Sequence, residues 1–303
     1  MTIALLGVPT NASGMDDGVA GAPRALRDAH LVARLRSVAA IDDLGDVLVA
    51  APTPVRGPDG IIDAPNLAAT LARIRAASAT AHRKGQRVLV VGGDCPVLIG
   101  ALAGYADACG APPGLLFVDG HEDAWPPGAS TTGEAADMEL GLLLGRSLDG
   151  VEPSLLAQLP RLEPAGIVVL GPRDRAEIVA SGVEPLDAVV DLLDDRAVQA
   201  DPAVVGRRAV DRLTRTASDW WLHVDLDVLS TDALPAVDYR QPGGLSWTEL
   251  TDLTTAALLA GGCVGATVTI YNPDLDPDRR FAPAIVEFIV GLAAGLERGG
   301  QRE

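Results

Sequence analysis

Basic charge is scarce in this chain of 303 residues. Lysine and arginine together number 24 against 41 acids, giving a formal net charge of −17 at pH 7. A surface of that sign repels phosphate backbones, which argues against nucleic acid as a partner, and it steers small cationic molecules inward. Cysteine is also scarce. Cys95, Cys109 and Cys263 are too few for a disulfide framework in a chain this long, and an odd number leaves a free thiol. No apolar run approaches the ~20 residues needed to cross a bilayer, and Met1-Thr-Ile-Ala-Leu-Leu-Gly7 enters a strand pattern without a basic leader. A cytoplasmic protein without a membrane partner is expected. Internal repeats and low-complexity linkers are lacking too, so residues 1–303 are expected to form a single domain.

What is present is an alternation of strand-like and helix-like segments. Short apolar runs predict strands at Ile3–Gly7, Arg87–Val91, Gly114–Val118, Gly166–Leu170, Trp220–Val224 and Ala266–Ile270. Helical patterns lie at Leu67–Arg83, Pro96–Ala108, Ala135–Gly145, Pro202–Thr216, Trp247–Leu259 and Ala282–Leu296. Buried, non-alternating strands separated by helices predict an α/β fold of three layers, a mostly parallel sheet covered by helices on both faces. The proline-rich stretch Ala50–Pro65 reads as a long surface loop, and Arg298–Glu303 is expected to fray.

Two segments carry chemistry. Asp119-Gly-His-Glu-Asp123 and His223-Val-Asp-Leu-Asp227 each stand where an apolar strand ends, and together they supply the five metal-ligand side chains Asp119, His121, Asp123, Asp225 and Asp227. In parallel α/β sheets, ligands collect outside the carboxyl ends of the strands. Four carboxylates and one imidazole suit a hard divalent cation such as Mn²⁺ better than a structural zinc. A third strand runs into Gly92-Gly93-Asp94-Cys95, whose glycines permit a tight turn that would bring Cys95 to the same crevice. His223 shares a strand face with Asp225, either beside the ligands or packed beneath them. His30 and His82 read as surface residues.

In these motifs the chain resembles the ureohydrolase superfamily of arginases, agmatinases and formiminoglutamases. Gly92-Gly93-Asp94-Cys95, Asp119-x-His121-x-Asp123 and Asp225-x-Asp227 follow the order of that family's signatures, and the similarity continues through Gly171-Pro-Arg-Asp174, Gly243-Gly-Leu245 and Asn272-Pro273. The resemblance implies two Mn²⁺ per chain, with Asp119 and Asp225 shared, His121 and Asp227 completing one ion, and Cys95 and Asp123 the other. It implies hydrolysis of a C–N bond by a hydroxide held between the ions, with Asp123 moving the proton. Relatives of this kind also form homo-oligomers.

Three positions depart from the family pattern. Cys95 replaces a metal-binding histidine, and thiolate is a softer ligand that admits Zn²⁺ or Fe²⁺; the other reading is a buried inert thiol. Ala136 stands where arginase-like members place a proton-relay histidine, leaving Glu134, Asp137 or Glu122 as substitutes. Ile270 stands where guanidine-binding members carry a glutamate, which disfavours ordinary arginine. The Cys-for-His change together with Ile270-Tyr-Asn-Pro-Asp-Leu-Asp-Pro277 is similar to a divergent actinobacterial branch that includes an Nω-hydroxy-arginine hydrolase. Thr132 and Trp125 are the further candidates for contact with substrate. Agmatinase-like or formiminoglutamase-like hydrolysis, or a catalytically weak metal-binding homologue with a regulatory role, are the competing expectations.

Overall fold

The computed structural model describes residues 1–299. Eight strands form one sheet: β1 (Thr2–Val8), β2 (Ala40–Asp46), β3 (Arg87–Gly92), β4 (Gly114–Val118), β5 (Ile167–Leu170), β6 (Asp191–Leu193), β7 (Trp220–Asp225) and β8 (Cys263–Thr269). Their order is β2-β1-β3-β8-β7-β4-β5-β6, and every neighbouring pair is parallel. All carboxyl ends therefore open on one edge.

Alternation along the strands divides the core in two. On β1, Ile3 and Leu5 face a layer containing Leu213, Leu250, Ile285 and Ile289, whereas Ala4, Leu6 and Val8 face one containing Leu71, Ile74, Leu98 and Leu102. The first layer comes from helices Pro202–Leu213, Trp247–Leu259 and Ala282–Gly299, the second from Ala64–Arg83 and Val97–Cys109. Central strands buried on both faces read as continuous apolar runs, as Gly114–Val118 does with all five residues buried. This is the expected three-layer α/β/α arrangement.

Several segments differ from the sequence reading. β2 and β6 are additional strands at the two edges of the sheet. Helix Ala64–Arg83 begins inside the expected loop, with Pro65 in its first turn, where a missing N–H costs nothing. β8 starts at Cys263 and stops at Thr269, because Ile270 turns to φ 72°. Arg298 continues the last helix rather than fraying, and residues 300–303 lie outside the described residues. The expected helix Ala135–Gly145 is broken into a 3₁₀ turn, Ala135–Asp137, and a short helix, Glu139–Leu143. Met138 leaves helical geometry between them with φ −127°, and the Leu140 and Gly141 N–H groups donate instead to the carbonyl of Asp123 at 3.0 and 3.2 Å. That break sets Glu139 against the carboxyl edge of the sheet.

Candidate metal centre

Strand register brings the two acidic motifs together. Val118 of β4 lies opposite Val224 of β7, so Asp119 and Asp225 come level at the sheet edge. On the other side of β7, β8 sets Thr267 opposite His223 and Thr269 opposite Asp225. The turn after β3 supplies Cys95. A Cβ on Gly93 would lie 1.9 Å from the Thr10 carbonyl oxygen, so that position accepts only glycine. Asp94 pins the turn by accepting from Ala12 N–H at 2.6 Å and from Cys95 N–H at 2.9 Å.

Hydrogen bonds orient the acids individually. Asp225 Oδ1 accepts from Asp227 N–H at 2.7 Å, and Asp119 Oδ1 accepts from His121 N–H at 2.8 Å. His121 Nδ1 lies 2.9 Å from Asp227 Oδ2 and 3.7 Å from Asp119 Oδ1. Gly120 N–H donates to Asp227 Oδ1 at 3.1 Å, and Arg173 braces the same loop through the Asp227 carbonyl at 2.7 Å. The Cys95 thiol donates to Asp225 Oδ2 at 2.7 Å and lies 3.0 Å from Thr269 Oγ1. Three sets of donor atoms converge within 4.8 Å of one another: Asp119, His121 and Asp227; Asp119, Asp123 and Asp225; and Cys95, Asp119, Glu139 and His223.

Burial and crowding dominate the electrostatics. Desolvation, followed by the Asp227 charge, pushes Asp119 up to about 6. Desolvation and neighbouring carboxylates push Asp123, Asp225 and Glu139 well above the usual carboxylate range, and the Cys95 thiol rises for the same reasons. Burial acts upward on Asp227 too, but the His121 charge and hydrogen bond, with Arg173 and Gly120, outweigh it and hold that carboxyl below its ordinary value. His121 answers in kind: desolvation lowers it, yet Asp227 and Asp119 carry it well above the usual imidazole range. Asp119 Oδ2, both Glu139 carboxylate oxygens and His223 Nε2 are buried with no hydrogen-bond partner among the described residues. Buried polar atoms are nearly always satisfied, and clustered carboxylates resist sharing a site without a compensating cation. Converging acids and orphaned donor atoms fit divalent cations, and oxygen-rich donors with one or two imidazoles suit Mn²⁺.

The remaining candidates fall around this centre. Trp125 is half-buried, with its backbone N–H on the Asp137 carbonyl at 2.9 Å. Thr132 donates to Asp137 Oδ2 at 2.7 Å and is committed to its own loop. Ile270 is buried, its N–H bonded to the Gly93 carbonyl at 2.8 Å. Of the proposed stand-ins for the missing histidine, Glu122 accepts from Leu186 N–H at 2.5 Å and Glu134 accepts from Tyr239 at 3.0 Å, while Asp137 Oδ2 receives Ser130 and Thr132. Ala136 offers no titratable group. His82 is half-buried against Tyr105 and Trp221 rather than a surface residue, whereas His30 is exposed.

Glu139 escaped the sequence reading, although a signal existed: it is a lone acid within the apolar run Met138 to Leu143, and it is completely buried. His223 satisfies both of its alternatives. It packs against Phe117 with ring centroids 4.8 Å apart, and its Nε2 lies 4.0 Å from Asp119 Oδ2.

Comparison with known proteins gives a consistent result. The model of the arginase family matches residues 1–294. An arginase of Brucella melitensis is 27% identical over 304 residues, spanning 96% of each chain. Among solved structures, arginase from Bacillus caldovelox superposes with a TM-score of 0.82 at 25% identity, over 96% of this chain and 97% of that one. Formimidoylglutamase from Bacillus subtilis shares the fold, with a TM-score of 0.73 at 17% identity over 98% of this chain and 87% of its own.

Proposed function

Since this chain belongs to the arginase family and is an arginase-family hydrolase, we propose that it cleaves a C–N bond in a guanidino, N-hydroxyguanidino or related amidino compound. An Nω-hydroxy-L-arginine type of substrate is preferred in this reading, and the chain works as one domain holding two divalent cations, Mn²⁺ first. The convergence of Asp119, His121, Asp123, Asp225 and Asp227 at the neighbouring carboxyl ends of β4 and β7 carries the reading. Asp119 and Asp225 would be shared between the ions, His121 and Asp227 would hold one, and Cys95 and Asp123 the other. Bound there, the ions supply Lewis acidity that lowers the pKa of water toward ~7.

The chain's own residues supply the rest. Without cations beside it, Asp123 is pushed above the usual carboxylate range, by desolvation first and then Asp119 and Glu139. With cations bound, Asp123 would stand as the carboxylate, able to take the proton of the attacking water and return it to the leaving amine. Asp227, held ionised by His121 and Arg173, anchors negative charge where a cation is wanted. Ile270 offers an incoming guanidinium no carboxylate. Lacking a charge partner in a desolvated site typically costs a cation several kcal/mol. An N-hydroxyguanidine is much less basic and binds neutral, so the missing carboxylate hurts it less. The net charge of −17 favours approach of small amino-acid-like cations.

The deciding experiment compares kcat/KM for L-arginine, agmatine, formiminoglutamate and Nω-hydroxy-L-arginine on the Mn²⁺-loaded chain. Preference for the hydroxylated compound is expected; arginine or agmatine as best substrate defeats the substrate assignment. Ala136 favours a second reading, a weakly catalytic metal-binding homologue, and no turnover of any of the four with two ions bound supports it.

A further inference from the structure

We infer that Glu139 and His223 complete the Cys95 side of the metal centre, forming with Cys95 and Asp119 a four-donor position for a borderline divalent cation such as Zn²⁺. The inference rests on the two-ion reading above and changes which residues hold the second ion. Donor atoms of all four residues lie within 4.8 Å of one another, and all four side chains are buried. Four atoms of this cluster have no hydrogen-bond partner among the described residues: Asp119 Oδ2, Glu139 Oε1 and Oε2, and His223 Nε2. An unpaired buried carboxylate is costly, and a cation shared among these groups satisfies them together.

The surroundings also prepare the ligands. His223 Nδ1 lies 2.7 Å from Thr267 Oγ1. With Nδ1–H donating to that hydroxyl, the Nε2 lone pair faces Asp119, the tautomer a ligand needs. Phe117 stacks on the ring at an interplanar angle of 25° and fixes its plane. The break at Met138 places Glu139 at the start of its own short helix, tied to the Asp123 loop through the Leu140 and Gly141 N–H groups. One sulfur, one imidazole nitrogen and two carboxylates make a donor set that suits four-coordinate Zn²⁺. Asp123 then has no duty as a ligand on this side and is free for proton transfer. The departures at Cys95 and the presence of Glu139 and His223 thus become parts of one rebuilt position.

The test uses Zn²⁺ and Co²⁺ on the whole chain. Wild type is expected to hold two ions per chain, and its Co²⁺ form to show a thiolate-to-metal charge-transfer band. Glu139→Gln and His223→Asn should each lose one ion and that band while keeping the ion beside His121. Two ions and an unchanged band in both variants overturn the inference and leave the two-ion reading standing. Wild type that binds fewer than two ions, with Glu139→Gln indistinguishable from it, overturns both. Because either variant could fail to fold, His121→Ala loaded with Zn²⁺ gives an independent arm. X-ray absorption of its remaining ion should show sulfur together with an imidazole that only His223 can supply; sulfur without imidazole rejects the inference.

Discussion

The Sγ of Cys95, in the turn after β3, lies 2.7 Å from Oδ2 of Asp225 at the end of β7, although 130 positions separate them in the chain. The two strands are not neighbours; β8 lies between them and contributes Thr269, 3.0 Å from the same sulfur. A thiol so placed donates to a carboxylate when protonated and competes with it for a cation when ionised. Loss of even an outer partner of a metal ligand typically costs ~10–100-fold in affinity. Cys95→Ser should therefore weaken one ion by at least about that factor, and Cys95→His should restore Mn²⁺ binding and narrow the advantage of Zn²⁺ over it, imidazole being a harder ligand than thiolate. Competition titration of both metals reads this directly; unchanged affinities in the serine variant would mark the thiol as structural.

Shared and unshared ligands separate by stoichiometry. Asp119 takes part in all three convergent sets of donors, whereas His121 belongs to one. Asp119→Ala should abolish both ions, and His121→Ala should leave one; Asp225 belongs to a single set, so loss of both ions in Asp225→Ala tests the proposed sharing of that carboxylate between the ions. Elemental analysis after dialysis against saturating Mn²⁺ supplies the counts. One ion surviving in Asp119→Ala would show that this residue bridges nothing.

The loop between the ligands tolerates no added atom. A Cβ at Gly120 would lie 2.5 Å from Arg173 Nη1 and 2.7 Å from Asp227 Oδ1. Gly120→Ala must push away either the arginine that braces Asp227 or the ligand itself. Overpacking of this kind costs ~1–3 kcal/mol. The expected signature is a modest fall in the denaturation midpoint together with a larger loss of metal affinity, because the displaced atom is a donor. A variant with lowered stability and wild-type metal binding would mean that the loop relaxes elsewhere.

Ile270 sets up a gain-of-contact prediction. Ile270→Glu should raise kcat/KM for L-arginine relative to Nω-hydroxy-L-arginine by at least about tenfold, the equivalent of ~1.4 kcal/mol, since it returns a carboxylate where a guanidinium lacks one. Residue 270 has φ 72°, a conformation that strains a β-branched side chain most, and any change of that strain acts on both substrates alike, so their ratio isolates the charge. An unchanged ratio would place the guanidinium elsewhere.

These outcomes bear on how much could be read from the chain alone. β4 and β7 were legible because their residues are buried on both faces and carry no charge until Asp119 and Asp225. β2 and β6 were not: Asp42 and Asp43 interrupt the middle of β2, and β6 is a three-residue strand with both ends exposed, edge strands that pair on one side only and need no continuous apolar run. The acidic motifs announced themselves by regular i, i+2 spacing. Glu139 lay hidden because its segment has helical periodicity, and only the diversion of two N–H groups to the Asp123 carbonyl breaks that helix in space. His223 had the right strand face, but its relation to Glu139 depends on contacts between distant segments, which periodicity does not encode.

His82 supplies a pH prediction away from the metals. Its ring sits 4.9 Å from Tyr105 and 6.1 Å from Trp221, centroid to centroid, and burial lowers it from 6.5 to about 4, against a smaller upward pull from Gln86 and Asp219. The folded state therefore binds this proton less readily than the unfolded chain. Stability from keeping the ring neutral is fully present above about pH 6.5 and drains away as pH falls toward 4, because the unfolded chain takes up a proton that the fold resists. The full difference corresponds to about 3 kcal/mol. His82→Leu keeps an apolar side chain against Tyr105 and Trp221 and removes the titration. Denaturant midpoints measured from about pH 7 down to about pH 4 on the metal-free chain should fall more steeply for wild type than for the leucine variant. Parallel slopes would mean that the ring escapes to solvent when it charges.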